Sequence, residues 1–162
     1  MITLRVAVPQ DVVFLARLYG DIRRGEVSAW GWPAGQQEWF LEMQFDAQRR
    51  SYQSSFPDAL DRVILLEDVP IGRILTNHEP SSMRLIDIAL LEEQRQQGIG
   101  TYLLRNLIQE CQERDCPLRL QVTEGNPAMR LYQRVGFEQT GSDAMYITME
   151  WLPLPKQKVA AS

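Results

Sequence analysis

A mixed α/β fold of the α+β kind, one layer of sheet with helices packed on it, is predicted by three observations. Short alternating or aliphatic runs are interleaved with longer runs of helical period. They follow one another as β-α-α-β-β-β-α-β-α-β-β, an order that does not alternate strictly and so disfavours a doubly wound Rossmann sheet. The chain has 162 residues, 44 % of them apolar and 23 % charged, the proportions of one soluble globular domain.

Each element has its own signal. Ile2-Thr3-Leu4-Arg5-Val6 alternates as a strand, and Pro9-Gln10-Asp11 then opens a helix that runs from Asp11 to near Arg24. Gly25 to Gly35 reads as a loop with two tryptophans, and Gln36 to Tyr52 as a second helix. Val63 to Glu67 and Ile71 to Thr76 form a hairpin across Glu67-Asp68-Val69-Pro70. Met83 to Leu91, the most apolar run, fits a central strand buried on both faces. Gly100 to Glu113 carries Leu103, Leu104, Leu107, Ile108 and Cys111 on one helical stripe, and Leu118 to Val122 alternates again. Asn126 as N-cap and Pro127 at the first helical position open the last helix, and Gly136 closes it. Phe137 to Thr140 and Ala144 to Trp151 are the final strands, so the domain is 1–151. The proline-punctuated stretch 152–162 is expected to be a frayed tail.

Composition excludes several classes of function. A net charge of −4 and a pI near 5.1 give a field that repels nucleic acid and anionic membrane, so neither is an expected partner. No apolar run approaches the ~20 residues of a spanning helix. The N-terminus lacks the pattern of a signal peptide, and a cytoplasmic location is expected. Cys111 and Cys116 are too few for a disulfide scaffold. With a single histidine, His78 in a turn-like stretch, no metal centre is expected.

The sharpest chemical signal is Ile88-Ala89-Leu90-Leu91-Glu92-Glu93-Gln94-Arg95-Gln96-Gln97-Gly98-Ile99-Gly100. A buried strand runs out into a glycine-containing turn at the start of an amphipathic helix, which is an anion site: N–H groups at the helix start, helped by the macrodipole, face phosphate oxygens. Neither a P-loop Gly-Lys-Ser/Thr nor a full dinucleotide fingerprint is present.

Arg95-x-x-Gly98-x-Gly100 after that strand resembles the pyrophosphate-binding motif of the GCN5-related N-acetyltransferase (GNAT) family. About 25 residues on, Asn126-Pro127-Ala128-Met129-Arg130-Leu131-Tyr132-Gln133-Arg134-Val135-Gly136-Phe137 is similar to that family's second signature. The resemblance covers Ile2 to about Trp151 and implies a mixed, mostly antiparallel sheet flanked by helices. It also implies an acetyl-CoA-dependent N-acetyltransferase that passes acetyl directly to an amine of a small molecule or peptide in a ternary complex. On this resemblance Arg95, Gln96, Gln97, Gly98, Ile99, Gly100 and Thr101 hold the coenzyme A pyrophosphate. Leu90 and Leu91 lie along the pantetheine arm, the Leu90 N–H stabilises the oxyanion, Asn126 contacts the coenzyme, and Tyr132 reprotonates the thiolate. Two positions depart from the commonest pattern: Glu92, often proline, and Gln96, often glycine.

The residues themselves leave alternatives open. Asn126 is also explained by capping, Tyr132 by a place on the apolar stripe with Leu131 and Val135, and Arg95 by solvation in a loop. An amine protonated near neutrality needs a base, for which the candidates are Asp87 inside the central strand, Glu26 in the aromatic loop and Glu124 after the strand at Val122. Trp30 and Trp32 are candidate walls of an acceptor pocket, whereas Trp39, Phe40 and Phe45 sit at helical positions expected to face the core. The rival reading is a non-catalytic acyl-CoA-binding or protein-interaction module of the same fold. Transfer of a longer acyl group requires room beside Leu90, and the last strands fit either a monomer or a homodimer.

Overall fold

A computed structural model describes residues 1–155, and its elements follow the predicted order. Strand β1 (Ile2–Val6) leads through a 3-10 turn (Pro9–Asp11) into helices α1 (Val12–Ser28) and α2 (Ala34–Ser55). Then come β2 (Leu60–Leu66), β3 (Val69–His78), β4 (Met83–Leu90), a second 3-10 turn (Glu92–Gln94), α3 (Ile99–Glu113), β5 (Leu118–Thr123), α4 (Ala128–Arg134), β6 (Glu138–Ser142) and β7 (Tyr146–Trp151). The seven strands hydrogen-bond in the order β1-β2-β3-β4-β5-β7-β6. Two compact units divide the chain: Met1–His78 with Ile86–Gly100, and Glu79–Leu85 with the residues from Thr101 onward.

In the first unit β1 and β2 pair antiparallel, as do β2 and β3. The turn between β2 and β3 is tighter than the sequence predicts. Glu67 and Asp68 both take positive φ (47° and 65°), which makes a two-residue hairpin loop whose twist suits the strands. Val69 and Pro70 therefore belong to β3, opposite Leu66 and Leu65. Pro70 has no N–H to give, and the register shifts beside it, between Ile64 and Leu65. Leu15 and Leu18 of α1, Leu41 and Phe45 of α2, and Val63, Leu65 and Leu75 of the strands are all buried. The entry to α1 is fixed by Asp11, which takes Arg5 through both carboxylate oxygens (2.9 Å each) and the Val8 N–H (2.7 Å). The Arg5 hydrogen bonds, with that of Val8, hold the Asp11 carboxyl down at about 2.

Two expectations about this unit are corrected. Gly25 to Gly35 is not a loop: α1 continues to Ser28, α2 begins at Ala34, and only Ala29 to Pro33 connects them. Burial of Val27, together with the bond from Ser28 Oγ to the Gly25 carbonyl (3.0 Å), outweighs the cost of about 1 kcal/mol for a glycine inside a helix. Trp39 does not face the core; it is 61 % exposed, whereas Phe45 is 3 % exposed.

In the second unit β5 pairs antiparallel with β7, and β7 with β6. The residues of β4 that belong here, Met83 to Leu85, pair in parallel with Leu118 to Leu120. Leu103, Leu104, Leu107 and Cys111 of α3 are buried, and Cys111 Sγ lies 3.8 Å from Met83 Sδ. Met83 and Leu85 are likewise buried, but Ile86 to Leu90 are only half-buried, so the reading of a strand buried along both faces is corrected over its second half. Helix α4 begins at Ala128, one residue later than predicted; Asn126 still caps it, its Oδ1 accepting the Ala128 N–H at 2.9 Å. Phe137 stays outside β6 and is buried. After Trp151 the chain is coil, and Leu154 is held to Gln112 by two hydrogen bonds (2.8 and 3.1 Å). The remainder of the predicted tail, 156–162, lies outside the described residues.

Candidate active site

Strand β4 ends in a tightly hydrogen-bonded turn. Its exit is tied on one side to β3, where the Leu91 N–H donates to the Ile71 carbonyl (2.9 Å), and on another to α1, where the Glu92 N–H donates to Asp21 Oδ2 (2.9 Å). Arg95 folds back so that its Nε donates to the Leu90 carbonyl at 3.1 Å. Gln97 does the same to the Glu93 carbonyl at 2.9 Å. The chain then reverses through two left-handed residues, Gln96 (φ 61°) and Gly98 (φ 82°), and α3 starts at Ile99, whose side chain is buried. For Gln96 this conformation is a local strain that glycine would not carry. An added Cβ on Gly98 would meet nothing within 4 Å, so a ligand has open approach to the backbone there. A 15-residue helix presents its first-turn N–H groups, Ile99, Gly100 and Thr101 among them, at this opening.

The end of β4 is also packed hard against β3. A Cβ placed on Gly72 would collide with the Ala89 carbonyl and come within 2.8 Å of Leu90 Cδ2. Gly72→Ala is therefore expected to lower stability by about 1–3 kcal/mol, the usual cost of overpacking a tight contact. A thermal melt checks this, and an unchanged midpoint would show that β3 and β4 can separate freely.

The candidate bases are placed unequally. Asp87 lies on β4 within electrostatic reach of Asp61 and Arg73, and burial pushes its carboxyl up, against the pull of Arg73 and Arg23. Glu26 is on the exposed side of α1, not in a loop, and Glu124 is exposed after β5. Trp30 and Trp32 come together with Phe40, with ring centres 5.2–5.4 Å apart in edge-to-face contacts. They clasp the α1–α2 connection, and Trp30 keeps 52 % of its surface exposed.

In the second unit Tyr132 is buried on α4, its ring edge-on to Phe137 at 5.7 Å. Gly136, at φ 111°, turns the chain back so that the Phe137 N–H reaches the Tyr132 carbonyl (3.0 Å). Three residues of the second signature thus form one local packing unit. Gly125, Asn126, Pro127, Met129 and Arg130 line an open hollow of about 450 Å³ beside the α4 start.

Sequence reasoning missed Asp21, Arg73, Asp61 and Arg23, and saw Tyr52 only as one of the aromatic residues of its region. Arg73 carried a signal, as a cation inside the aliphatic run Ile71 to Thr76. Tyr52 lies under its guanidinium (5.8 Å to the ring centre), and burial with the nearby Asp87 charge pushes its hydroxyl up to about 12. Among the described residues no group of acids, histidines and cysteines is arranged to hold a metal, and no helix is long and apolar enough to cross a membrane.

A strand that ends in a glycine turn feeding an exposed helix start has the backbone geometry of an anion site. The family follows from the sequence: the model of the acetyltransferase (GNAT) family matches residues 23–137, and the chain belongs to that family of acetyltransferases. No relative was found among curated proteins. Among solved structures, PaiA N-acetyltransferase from Thermoplasma acidophilum, in complex with coenzyme A, is 19 % identical, with 94 % of this chain and 99 % of that one covered at a TM-score of 0.70. The ribosomal-protein-S18-alanine N-acetyltransferase from Escherichia coli is 18 % identical over 98 % and 99 %, with a TM-score of 0.64. Ard1 from Thermoplasma volcanium is 20 % identical over 95 % and 99 %, with a TM-score of 0.63. At these identities the likeness is one of fold, a mostly antiparallel seven-stranded sheet with flanking helices.

Proposed function

We propose that this protein is an acetyl-CoA-dependent N-acetyltransferase that passes acetyl directly to an amine in a ternary complex. The observation that carries the reading is the turn at Gln96 to Thr101, where two left-handed residues and an unobstructed glycine open the start of α3 to a pyrophosphate. Acetyl-CoA supplies the activated thioester. The N–H groups of Gln96 to Thr101 hold its pyrophosphate with Arg95 beside them, and Asn126 acts through the α4 start, where its Oδ1 accepts the Ala128 N–H. Ile86 to Leu90 run past the parallel register of β4, and Leu90 and Leu91 carry the pantetheine arm, with the Leu90 N–H donating to the thioester oxygen.

Asp87 takes the proton of the acceptor ammonium, and it is preferred to Glu26 and Glu124 because burial raises its carboxyl towards the working pH. The amine nitrogen then forms its bond to the acyl carbon, the carbon–sulfur bond breaks, Tyr132 gives its hydroxyl proton to the thiolate, and the second proton that the nitrogen sheds on becoming an amide restores the Tyr132 hydroxyl through solvent. Trp30 and Trp32 form the outer wall of the acceptor site. One domain spanning 1–151, in the cytoplasm, is consistent with this reading, and the protomer acts as a monomer or a homodimer.

Titration calorimetry with acetyl-CoA, and with CoA, ATP and NAD as comparators, tests the common step. Micromolar acetyl-CoA binding is expected, about −8 kcal/mol, with neither ATP nor NAD competing. Absence of heat at millimolar acetyl-CoA would overturn the reading and leave a non-catalytic module of the same fold.

A further inference from the structure

Helix α3 ends in a closure that puts the two cysteines of the chain against each other. Asp115 takes the left-handed conformation (φ 54°), its N–H donates to the Gln112 carbonyl at 3.2 Å, and the Cys116 N–H donates to the Cys111 carbonyl at 3.0 Å. In a helix end of this kind the residue after the left-handed one lies over the residue five positions earlier, and their side chains are frequently in apolar contact. Here both side chains are free thiols. They interact: burial, and after it the Cys116 side chain, push the Cys111 thiol up to about 12.

The two thiols are unequal. Cys111 is 0 % exposed and its Sγ lies 3.8 Å from Met83 Sδ, whereas Cys116 is half-buried, so a reagent in solution meets Cys116 first. The turn around them is held on both sides. Gln112 is tied to Leu154 by two hydrogen bonds, and the Pro117 carbonyl accepts the Met83 N–H at 2.9 Å. A disulfide spans Cα atoms ~4.4–6.8 Å apart, and residues whose main chains share a hydrogen bond stand about that far from each other.

We propose that Cys111 and Cys116 form a reversible disulfide in the folded protein, Cys116 being the thiol that meets a peroxide and Cys111 the thiol that resolves it. The Cys116 sulfur attacks one peroxide oxygen, the O–O bond breaks, and a sulfenic acid and one water result. The Cys111 sulfur then attacks that of Cys116, the S–O bond breaks, and the departing hydroxide leaves with the Cys111 proton as a second water. Two thiols have lost two electrons, and one hydrogen peroxide has become two waters. Resolution by a thiol already in contact keeps Cys116 from the irreversible sulfinic acid. The site closes the far end of α3, about 20 Å along the helix from the turn at Gln96 to Thr101, so the proposal is independent of the transferase reading.

The full chain, treated with hydrogen peroxide without denaturant, quenched with catalase and alkylated, is read by thiol titration and peptide mass mapping. Expected are the loss of both free thiols, a linked peptide lighter by two hydrogens with no oxygen added at either cysteine, and full reversal by dithiothreitol. The oxidised form should melt roughly 4–8 °C above the reduced one. Cys116→Ser should leave the Cys111 thiol unoxidised, and Cys111→Ala should carry Cys116 on to sulfinic acid or join two copies. The measurements on the natural chain decide the question even where a variant does not fold. Survival of both thiols, oxygen added at Cys116, a disulfide between two copies, or a melting point that does not rise on oxidation would each overturn the proposal.

Discussion

Tyr132→Phe is expected to lower kcat by roughly a hundredfold while acetyl-CoA binds with its original affinity. General acids contribute about 10²–10⁴ to rate. The low end applies here because the leaving group is a thiol of pKa about 8.5, which departs as a thiolate with moderate help. The substitution keeps the ring and its edge-on contact with Phe137, so it removes the hydroxyl alone from a buried position. An interaction made only as the carbon–sulfur bond breaks lowers kcat and kcat/KM together.

The measurement is steady-state thiol release beside calorimetric titration of the same preparations. A full rate in the variant would remove Tyr132 from the chemistry and leave it as packing between α4 and Phe137. A loss of acetyl-CoA affinity equal to the loss of rate would place its role in binding. The rate deficit should also shrink as pH rises, since a better stabilised thiolate needs the proton less.

Much of the fold was legible because its signals are local. The turn that leads from β4 into α3 was visible in Gly98 and in the strand-to-helix transition, and α4 in Asn126, Pro127 and Gly136, each of which states a backbone conformation by its own chemistry. The extension of α1 to Ser28 was hidden, because Gly25 and the tryptophans signal a break and only tertiary burial of Val27 overrides them. The hairpin turn was read two residues too long because Pro70 looks like turn chemistry, yet it is tolerated in β3 beside a register shift. The least legible part was the charged face. Arg23, Tyr52, Asp61, Arg73 and Asp87 come from five separate elements, α1, α2, β2, β3 and β4, and no spacing in one chain states that they meet. Asp87 announced itself as an acid within an aliphatic strand, and Arg73 carried a like signal as a cation within Ile71 to Thr76.

Asp87→Asn is expected to separate activity from stability in opposite directions. As the base, Asp87 accounts for about 10²–10⁴ in kcat/KM, because the acceptor ammonium cannot attack until its proton has gone. The natural enzyme should lose activity as pH falls through the raised value of Asp87, and the variant should lack that acidic limb. Stability follows from the same shift. The folded state holds the Asp87 proton more tightly than the unfolded chain, whose carboxyl has the ordinary value of 3.8. Its contribution is therefore complete below that value and is lost as pH rises through the folded one. Asparagine imitates the protonated form and keeps the contribution at every pH. The variant should melt higher than the natural chain at pH 7 and equally at pH 3. On the proposed mechanism, burial of Asp87 is a cost that the folded protein carries at its working pH for the sake of a base with raised affinity for protons. A variant that retains its rate would pass the role to Glu26 or Glu124. One that loses both rate and stability at pH 7 would show that the charge of Asp87 serves to hold Arg73 and Arg23 in place.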